Sequence, residues 1–272
     1  MQLRDRKVLL TGATGGIGHA LAQALLDAGA RLLLAGRDPV ALRQVARQLK
    51  GASQETEVVQ LDLGSDQVWH QAKHVAQLHP DLDVLVNCAG RNLFAHAALA
   101  DPVQITALLD VNLKGSILLT QALLPTLLQR PQGMIVNVGS TFGSIGYPGF
   151  AAYCASKFGV RGFSEALRRE LAQTRVKVLY VAPRATATDM NVSAVVEMNR
   201  ELGNRMDTPV SVAACVVHAI ERERPRLFIG WPEKLFVFLN GLFTGLVDKA
   251  LLKQLPVIER FLTRDSHSSE VK

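Results

Sequence analysis

The sequence predicts an α/β protein, a doubly wound, Rossmann-type parallel sheet of about seven strands with helices on both faces. Three observations predict it. Short apolar runs alternate with longer helical patterns along the chain. The runs are rich in Val, Leu and Ile without polar alternation, as strands buried on both faces of a parallel sheet are. The first run ends in a glycine-rich turn, "TGATGGIG" (11–18). A length of 272 residues suits one large domain of this class.

In chain order the strand-like runs are 7–12, 31–36, 57–62, 83–90, 134–140, 176–183 and 226–230. Helical patterns fall between them near 17–28, 39–50, 65–78, 102–129, 151–173 and 211–222. Repetition of strand, helix, strand builds the doubly wound sheet, with ligands at the carboxyl ends of its strands. Two segments break the rhythm. Residues 189–210 have mixed polarity and read as a flap over that edge. Residues 231–272 follow the last strand, so the chain divides into a 1–230 nucleotide-binding domain and a 231–272 helical extension. The polar end "RDSHSSEVK" reads as unstructured.

Composition excludes several classes. Hydrophobic residues make up 48% and charged residues 20%, the profile of a globular protein in water. The net charge of +6 comes from scattered basic residues, with no dense Lys/Arg run among aromatics, which argues against nucleic acid. Cys88, Cys154 and Cys215 are far apart and odd in number, so neither a disulfide framework nor a metal pair is expected. Their usage, and a start "MQLRDRKVLL" without a signal-peptide core, set the expectation of a reducing cytoplasm. No run reaches the roughly 20 apolar residues of a membrane span.

The first strand runs into Gly12, Gly16 and Gly18. Glycines between a strand and a helix let backbone N–H groups approach a pyrophosphate at the helix N-terminus. The second strand ends "LAGRDP", with Gly36 where a carboxylate would bind the ribose 2′-hydroxyl of NAD. Arg37 follows, and a guanidinium can hold a 2′-phosphate, which favours NADP(H) over NAD(H). The alternative for Arg37 is a solvated residue at the start of a helix. Asp62, at the end of the third strand, suits the adenine amino group, or else N-caps the next helix.

Tyr153 and Lys157 stand at i and i+4, one turn apart on one helix face. A free phenol titrates near 10 and is a poor acid–base catalyst at neutral pH. A neighbouring ammonium favours the phenolate, so the pair can move a proton to or from an alcohol or carbonyl oxygen. The small residues between them, Cys154, Ala155 and Ser156, allow close packing against a neighbour or cofactor. Ser140 ends the fifth strand, where its hydroxyl faces the ligand edge. Asn112 lies inside a helical stretch, an unfavourable place for Asn. Anchoring a water near Lys157 gives it a reason; a buried amide bonded to backbone is the alternative.

Taken together, "TGATGGIG", "LDL" (61–63), "NCAG" (87–90), Asn112, Ser140, "YCASK" (153–157) and "PRATATDM" (183–190) resemble the short-chain dehydrogenase/reductase family over roughly residues 5–230. The resemblance implies a catalytic tetrad of Asn112, Ser140, Tyr153 and Lys157. In it Tyr153 is the general acid–base, Ser140 positions the substrate oxygen, Lys157 binds the nicotinamide ribose and Asn112 holds a relay water. It implies cofactor contacts from Gly12, Thr14, Gly16, Ile17, Gly18, Arg37, Asp62, Leu63, Asn87, Ala89, Gly90, Pro183 and Thr188, besides Tyr153 and Lys157. It also implies a homodimer or homotetramer built through the helices near 102–129 and 151–173. Two positions depart from the family: Cys88 stands where a second Asn is usual, and Arg184 where Gly follows the proline. Arg184 narrows the nicotinamide pocket or attracts an anionic group.

The activity implied is hydride transfer between NADP(H) and a carbonyl or secondary alcohol. The rival is a catalytically silent nucleotide-binding scaffold. The extension, taken as one helix, gathers Leu235, Phe236, Leu239, Leu242, Phe243, Leu246, Val247 and Ala250 on one arc. That arc packs on protein, roofs a tunnel for a lipophilic substrate, or lies in a membrane interface with Lys234, Lys249 and Lys253 near anionic headgroups.

Overall fold

The computed structural model describes residues 1–51 and 56–269, with side chains described to Thr263. Seven strands form the sheet: β1 (Lys7–Thr11), β2 (Arg31–Gly36), β3 (Thr56–Gln60), β4 (Leu82–Asn87), β5 (Gly133–Val138), β6 (Val176–Ala182) and β7 (Arg226–Phe228). Their order is β3-β2-β1-β4-β5-β6-β7, and every neighbouring pair is parallel. The expected doubly wound sheet is therefore present.

The helices are α1 (Gly16–Asp27), α2 (Pro39–Gln48), α3 (Val68–Leu78), α4 (Pro102–Leu109), α5 (Ser116–Leu128), α6 (Ala151–Glu170), α7 (Ser193–Glu201), α8 (Pro209–Glu221), α9 (Glu233–Leu242) and α10 (Thr244–Ser269). Successive strand residues point to opposite faces, so the apolar runs split between two cores. Val8, Leu10, Val84 and Val86 join Leu21, Leu25, Val212 and Val216 beneath α1 and α8. Leu9, Leu85, Ile135 and Val178 join Val75, Leu119, Leu123 and Leu167 beneath α3, α5 and α6. The edge strands β3 and β7 depart from full burial, because each has only one neighbouring strand.

Three further departures from the sequence reading have local causes. The stretch 102–129 is not one helix: a π segment, Asp110–Gly115, separates α4 from α5. The stretch Pro102–Leu128 is long and apolar enough to cross a membrane by composition, yet Leu119, Ala122, Leu123 and Leu127 are core residues, and buried core helices pass the same test. The tail is two helices rather than one, broken at Phe243 with φ −138 and ψ 62. The polar end is not left unstructured throughout, since α10 continues to Ser269. Composition alone misses this, because extending a helix needs only one more residue ordered per hydrogen bond. The remaining residues of that end, 270–272, lie outside the described residues.

At the edge of the sheet opposite the ligand side, Asp83 is buried at the start of β4. Its carboxylate accepts from Arg6 at 3.2 Å, from Arg130 at 3.0 Å and from the Lys7 backbone N–H at 3.1 Å. Deleting one partner of a buried charge cluster strands the others, at a cost of about 3–5 kcal/mol. Asp83→Ala is expected to lower unfolding free energy by about that much while leaving activity per folded molecule unchanged. Urea denaturation beside an active-site titration checks both halves.

Candidate active site

The site grows from the reversal of strand order. β1 is flanked by β2 and β4, so the connections leaving β1 and β4 run to opposite sides and a crevice opens at their carboxyl ends. Thr11, the last residue of β1, closes the base of this crevice. Its hydroxyl accepts from the N–H groups of Cys88 and Ala89, both at 3.1 Å, and donates to the Val86 carbonyl at 3.3 Å. Gly12 follows with φ +77, and a Cβ there would lie 2.7 Å from the Ala89 Cα. A Cβ on Gly18 would lie 2.0 Å from the Gly12 carbonyl oxygen. Only glycine fits at both positions, because backbone sits on the other side. The turn leads into α1, whose N-terminus carries no side-chain cap. Its first N–H groups are thus available to an anion.

Beyond β2, Asp38 caps α2 by accepting from the N–H groups of Val40 at 2.8 Å and Ala41 at 3.1 Å. Its carboxylate is therefore occupied. Arg37 is exposed at the same cavity rim and has no ion pair among the described residues. Asp62 lies just past β3, where it accepts from the Gly64 N–H at 3.0 Å. It does not cap α3, whose preceding residue is Gln67, so the helix-cap alternative falls. Thr14, Gly16, Ile17, Gly18, Arg37, Asp62, Leu63, Ala89, Gly90, Pro183 and Thr188 all line one continuous cavity of ≈ 1090 Å³.

Asn87 is different. Its side chain is buried, donating to Thr120 at 3.0 Å and Asn137 at 2.8 Å, and Asn137 passes the network to Ser164 at 2.9 Å. Asn87 joins β4 to β5, α5 and α6 from inside and does not line the cavity. The inward register of β4 at this position makes the amide side chain a strut rather than part of the cavity lining.

The cavity continues to the Tyr153 helix. Ser140 follows β5, accepts from the Phe142 N–H at 3.1 Å and lines the cavity together with Tyr153. Lys157 is buried, donates to the Val138 carbonyl at 3.1 Å and has its Nζ 5.7 Å from the Tyr153 ring centroid. Asn112 sits in the π segment, whose widened turn admits a polar side chain. It accepts from the Arg91 N–H at 2.7 Å and donates to the Arg91 carbonyl at 3.0 Å and Ser156 at 3.1 Å. So it is a buried amide bonded to backbone. Yet a Cβ on Gly90 would lie 3.4 Å from its Oδ1 and 3.6 Å from Lys157 Nζ, which brings the two side chains around one glycine. The structure thus gathers Ser140, Tyr153 and Lys157 around a single cavity wall, with Asn112 buried behind Gly90.

Burial dominates the electrostatics. It pushes Tyr153 up to about 12, with the polar Ser140 side chain pulling the other way. It lowers Lys157 to about 8. The expected lowering of the phenol by its lysine neighbour is not seen in this protein without ligand. Desolvation disfavours both charged forms, and at this separation it outweighs their attraction. Tyr153 is accordingly a neutral O–H donor at physiological pH.

The wall opposite the nucleotide turn was least visible in the sequence. Phe142 stacks on Tyr147 at 4.8 Å and contacts Phe150 at 5.3 Å. Phe150, Val195 and Met198 join Ile258, Phe261 and Leu262 of α10 in one apolar cluster. Arg184 does not offer its charge to the cavity. It makes two bonds to Asp207, at 2.7 and 3.0 Å, and further bonds to Glu233 at 3.3 Å and the Trp231 carbonyl at 3.2 Å. The departure from glycine therefore ties the 189–210 segment to the start of the tail.

A parallel sheet with a glycine turn at its switch point, and a Ser–Tyr–Lys cluster across the same cavity, defines a dinucleotide-fold oxidoreductase class. Comparison with known proteins sharpens this. The short chain dehydrogenase family matches residues 6–199. Mouse dehydrogenase/reductase SDR family member 7B is 35% identical over 200 residues, covering 71% of this chain and 61% of the mouse protein. This chain therefore spans less than two thirds of that relative's length. A short chain dehydrogenase from Burkholderia cenocepacia, solved with NADP, superposes with a TM-score of 0.79 at 26% identity, covering 93% of this chain and 99% of that one. A Sphingobium yanoikuyae short-chain dehydrogenase, solved with NADPH, gives 0.75 at 25% identity, covering 89% and 95%. The chain belongs to the short-chain dehydrogenase/reductase family and is an oxidoreductase.

The lysine yields a stability prediction. Lys157 titrates near 8 when folded, against 10.5 ordinarily. Below 8 both states hold the proton and the folded state carries the full penalty of a buried ammonium. Between about 8 and 10.5 the unfolded chain holds a proton that the folded chain has released, so stability rises with pH. Lys157→Met removes the charge at similar length, although the Val138 carbonyl loses its donor. Its Tm without ligand is expected to exceed wild type by a few degrees at neutral pH, with the gain shrinking at alkaline pH. Thermal melts across that range check it; an equal gain at every pH would contradict the assignment to this group.

Proposed function

We propose that the chain is an NADP(H)-dependent oxidoreductase that moves hydride between the nicotinamide and a lipophilic carbonyl or secondary alcohol, with Tyr153 as general acid–base. The carrying observation is that Ser140, Tyr153 and Lys157 line the same cavity as the glycine turn. Gly12, Gly18 and the uncapped start of α1 fit a pyrophosphate. The unpaired Arg37, beside an Asp38 engaged in capping, fits a 2′-phosphate and gives no carboxylate to a ribose diol. Asp62 and Leu63 suit the adenine side; Ala89, Gly90, Lys157, Pro183 and Thr188 suit the nicotinamide side.

The bound cofactor supplies or accepts the hydride. The chain supplies the proton and the geometry. Ser140 donates to the substrate oxygen and holds it beside the Tyr153 hydroxyl. In reduction Tyr153 gives its proton to that oxygen as negative charge develops, which lowers the barrier. A phenol raised to about 12 by burial is fully protonated and ready for this direction. Lys157 keeps positive charge near the resulting phenolate, and Asn112 holds the Arg91 backbone that borders the site. Phe142, Phe150, Val195 and Met198 give the substrate end an apolar wall, with Arg184 neutralised by two carboxylates. That wall suits bulky apolar carbonyl compounds. The reading also sets the enzyme in the cytoplasm as a homodimer or homotetramer, joined through α4–α5 and α6, where Val103 and Phe158 are exposed.

Consumption of NADPH across ketones, aldehydes and acyl thioesters of graded chain length tests the activity, and no turnover on any of them would overturn it. Tyr153→Phe is expected to retain cofactor affinity and lose at least about a hundredfold in turnover, more than 2.7 kcal/mol of barrier. A loss within about tenfold would remove Tyr153 from its role. Arg37→Asp is expected to weaken NADPH binding far more than NADH binding, measured by fluorescence titration of each. Sedimentation of a single-chain mass at micromolar concentration would exclude the oligomer.

A further inference from the structure

The tail presents an apolar face that the fold leaves uncovered. Helix α9 has no buried residue, and Phe243 breaks the helix so that α10 turns back toward the body. Phe238, Leu242, Phe243 and Leu246 are each about three-fifths exposed (63, 60, 61 and 59%), and Trp231 is 67% exposed beside them. Large apolar side chains clustered in this way mark a contact surface. α10 is held from its other side, where Val247, Ile258, Phe261 and Leu262 are buried, so the patch projects from a fixed base.

Two observations decide what the patch meets. The first is charge. Lys234, Lys249 and Lys253 lie along the same segment with no ion pair among the described residues, while Glu233 is neutralised by Arg184, leaving Asp248 as the one acid against three lysines. An apolar wedge flanked by free ammonium groups matches the layering of an anionic lipid surface, acyl chains below and phosphates above. A second copy seated symmetrically on the patch would set this lysine excess against its own like. The second is position. Trp231, at the exposed start of the patch, also lines the reaction cavity, and Phe236 lines it from the body-facing side of α9, so the cavity reaches the base of this face. A protein partner seated there would close the mouth; a lipid surface would feed it.

We propose that α9 and the first turns of α10 dock on an anionic lipid surface, seating the cavity mouth at the interface so that apolar substrate enters from the bilayer. The docking stands on the patch alone; substrate entry rests on the oxidoreductase reading of the cavity. The helices lie in the interface rather than span it, since ten residues in α9 fall well short of the roughly 20 a crossing needs.

The test is co-sedimentation of the full chain with vesicles, without substrate, cofactor or turnover. Phosphatidylcholine vesicles containing phosphatidylglycerol are expected to bind at least about tenfold more tightly than phosphatidylcholine alone, with salt weakening the difference. Phe238→Asp with Leu242→Asp should abolish binding to both while leaving the melting temperature in place, because both side chains are exposed. Lys249→Glu with Lys253→Glu should remove only the anionic preference. Wild type failing to bind either vesicle overturns the proposal, as does binding that the Phe238/Leu242 variant retains. A dimer that this variant dissociates, with no vesicle binding by wild type, would give the face to a second copy instead. None of these outcomes depends on catalysis, so failure here leaves the proposed reaction standing.

Discussion

Everything at the ligand edge depends on how closely β1 and β4 can approach each other beyond their last paired residues. The strand order forces the chain to leave them in opposite directions, and the crevice between them admits a ligand only if the backbone floor is thin. Thr11 and Gly12 make it thin. The Thr11 hydroxyl holds the Cys88 and Ala89 amides, and Gly12 lies against the Ala89 Cα where no side chain fits. Gly18 packs α1 onto the Gly12 carbonyl in the same manner. One set of close backbone contacts therefore fixes the helix N-terminus, the floor of the crevice and the start of the "CAG" segment. Gly90, at the end of that segment, then sits between Asn112 and Lys157, so the nucleotide end and the chemical end share a single backbone support.

The chemical end is a balance between burial and charge. Placing Lys157 and Tyr153 away from water is unfavourable for ammonium and phenolate alike, and the shifts of both groups show burial as the first cause. A protein built only for stability would not bury that lysine. Its presence, held by one carbonyl bond, is the kind of local conflict with good folding that functional sites retain. The same applies to the π segment. A widened helical turn gives up regular hydrogen bonding, and in exchange it places the Asn112 amide against the Arg91 backbone and Ser156.

The parts legible in the sequence were those governed by short-range rules. The strands buried on both faces announced themselves as unbroken apolar runs, and the glycine turn, Ser140, Tyr153 and Lys157 could be placed because each sits at a fixed offset from an element end. The parts not legible depend on contacts between distant segments. Nothing in "LDVNLKGS" separates a π turn from an α turn, since the difference lies in what Asn112 meets across the fold. The motif containing Asn87 borders the cavity, but only the three-dimensional register shows its side chain turned inward to Thr120 and Asn137. The apolar wall of the cavity draws on Phe142, Phe150, Val195 and Met198, backed by Ile258, Phe261 and Leu262 of α10 more than a hundred residues after Phe150, and no local pattern links them.

Arg184 shows how one such long-range link alters the architecture. A lone guanidinium beside a nicotinamide pocket suggests an anion site. Here it faces Asp207 on one side and Glu233 on the other, and the glycine at Gly230, with φ +98, leaves the space its side chain crosses. The positive charge is consumed within the protein, so the pocket keeps its apolar character. The same cluster fixes the Asp207 end of the mixed-polarity segment to the first turn of α9. The mixed-polarity segment and the helix carrying the exposed apolar face thus share one half-buried cation. The bridge between Thr186 and Asp207 extends this set of contacts to the loop that bears Thr188, which lines the same cavity. The 189–210 segment, the Thr186–Thr188 loop and the tail are in this way joined by one run of contacts, although they lie on stretches that the sequence presents as separate.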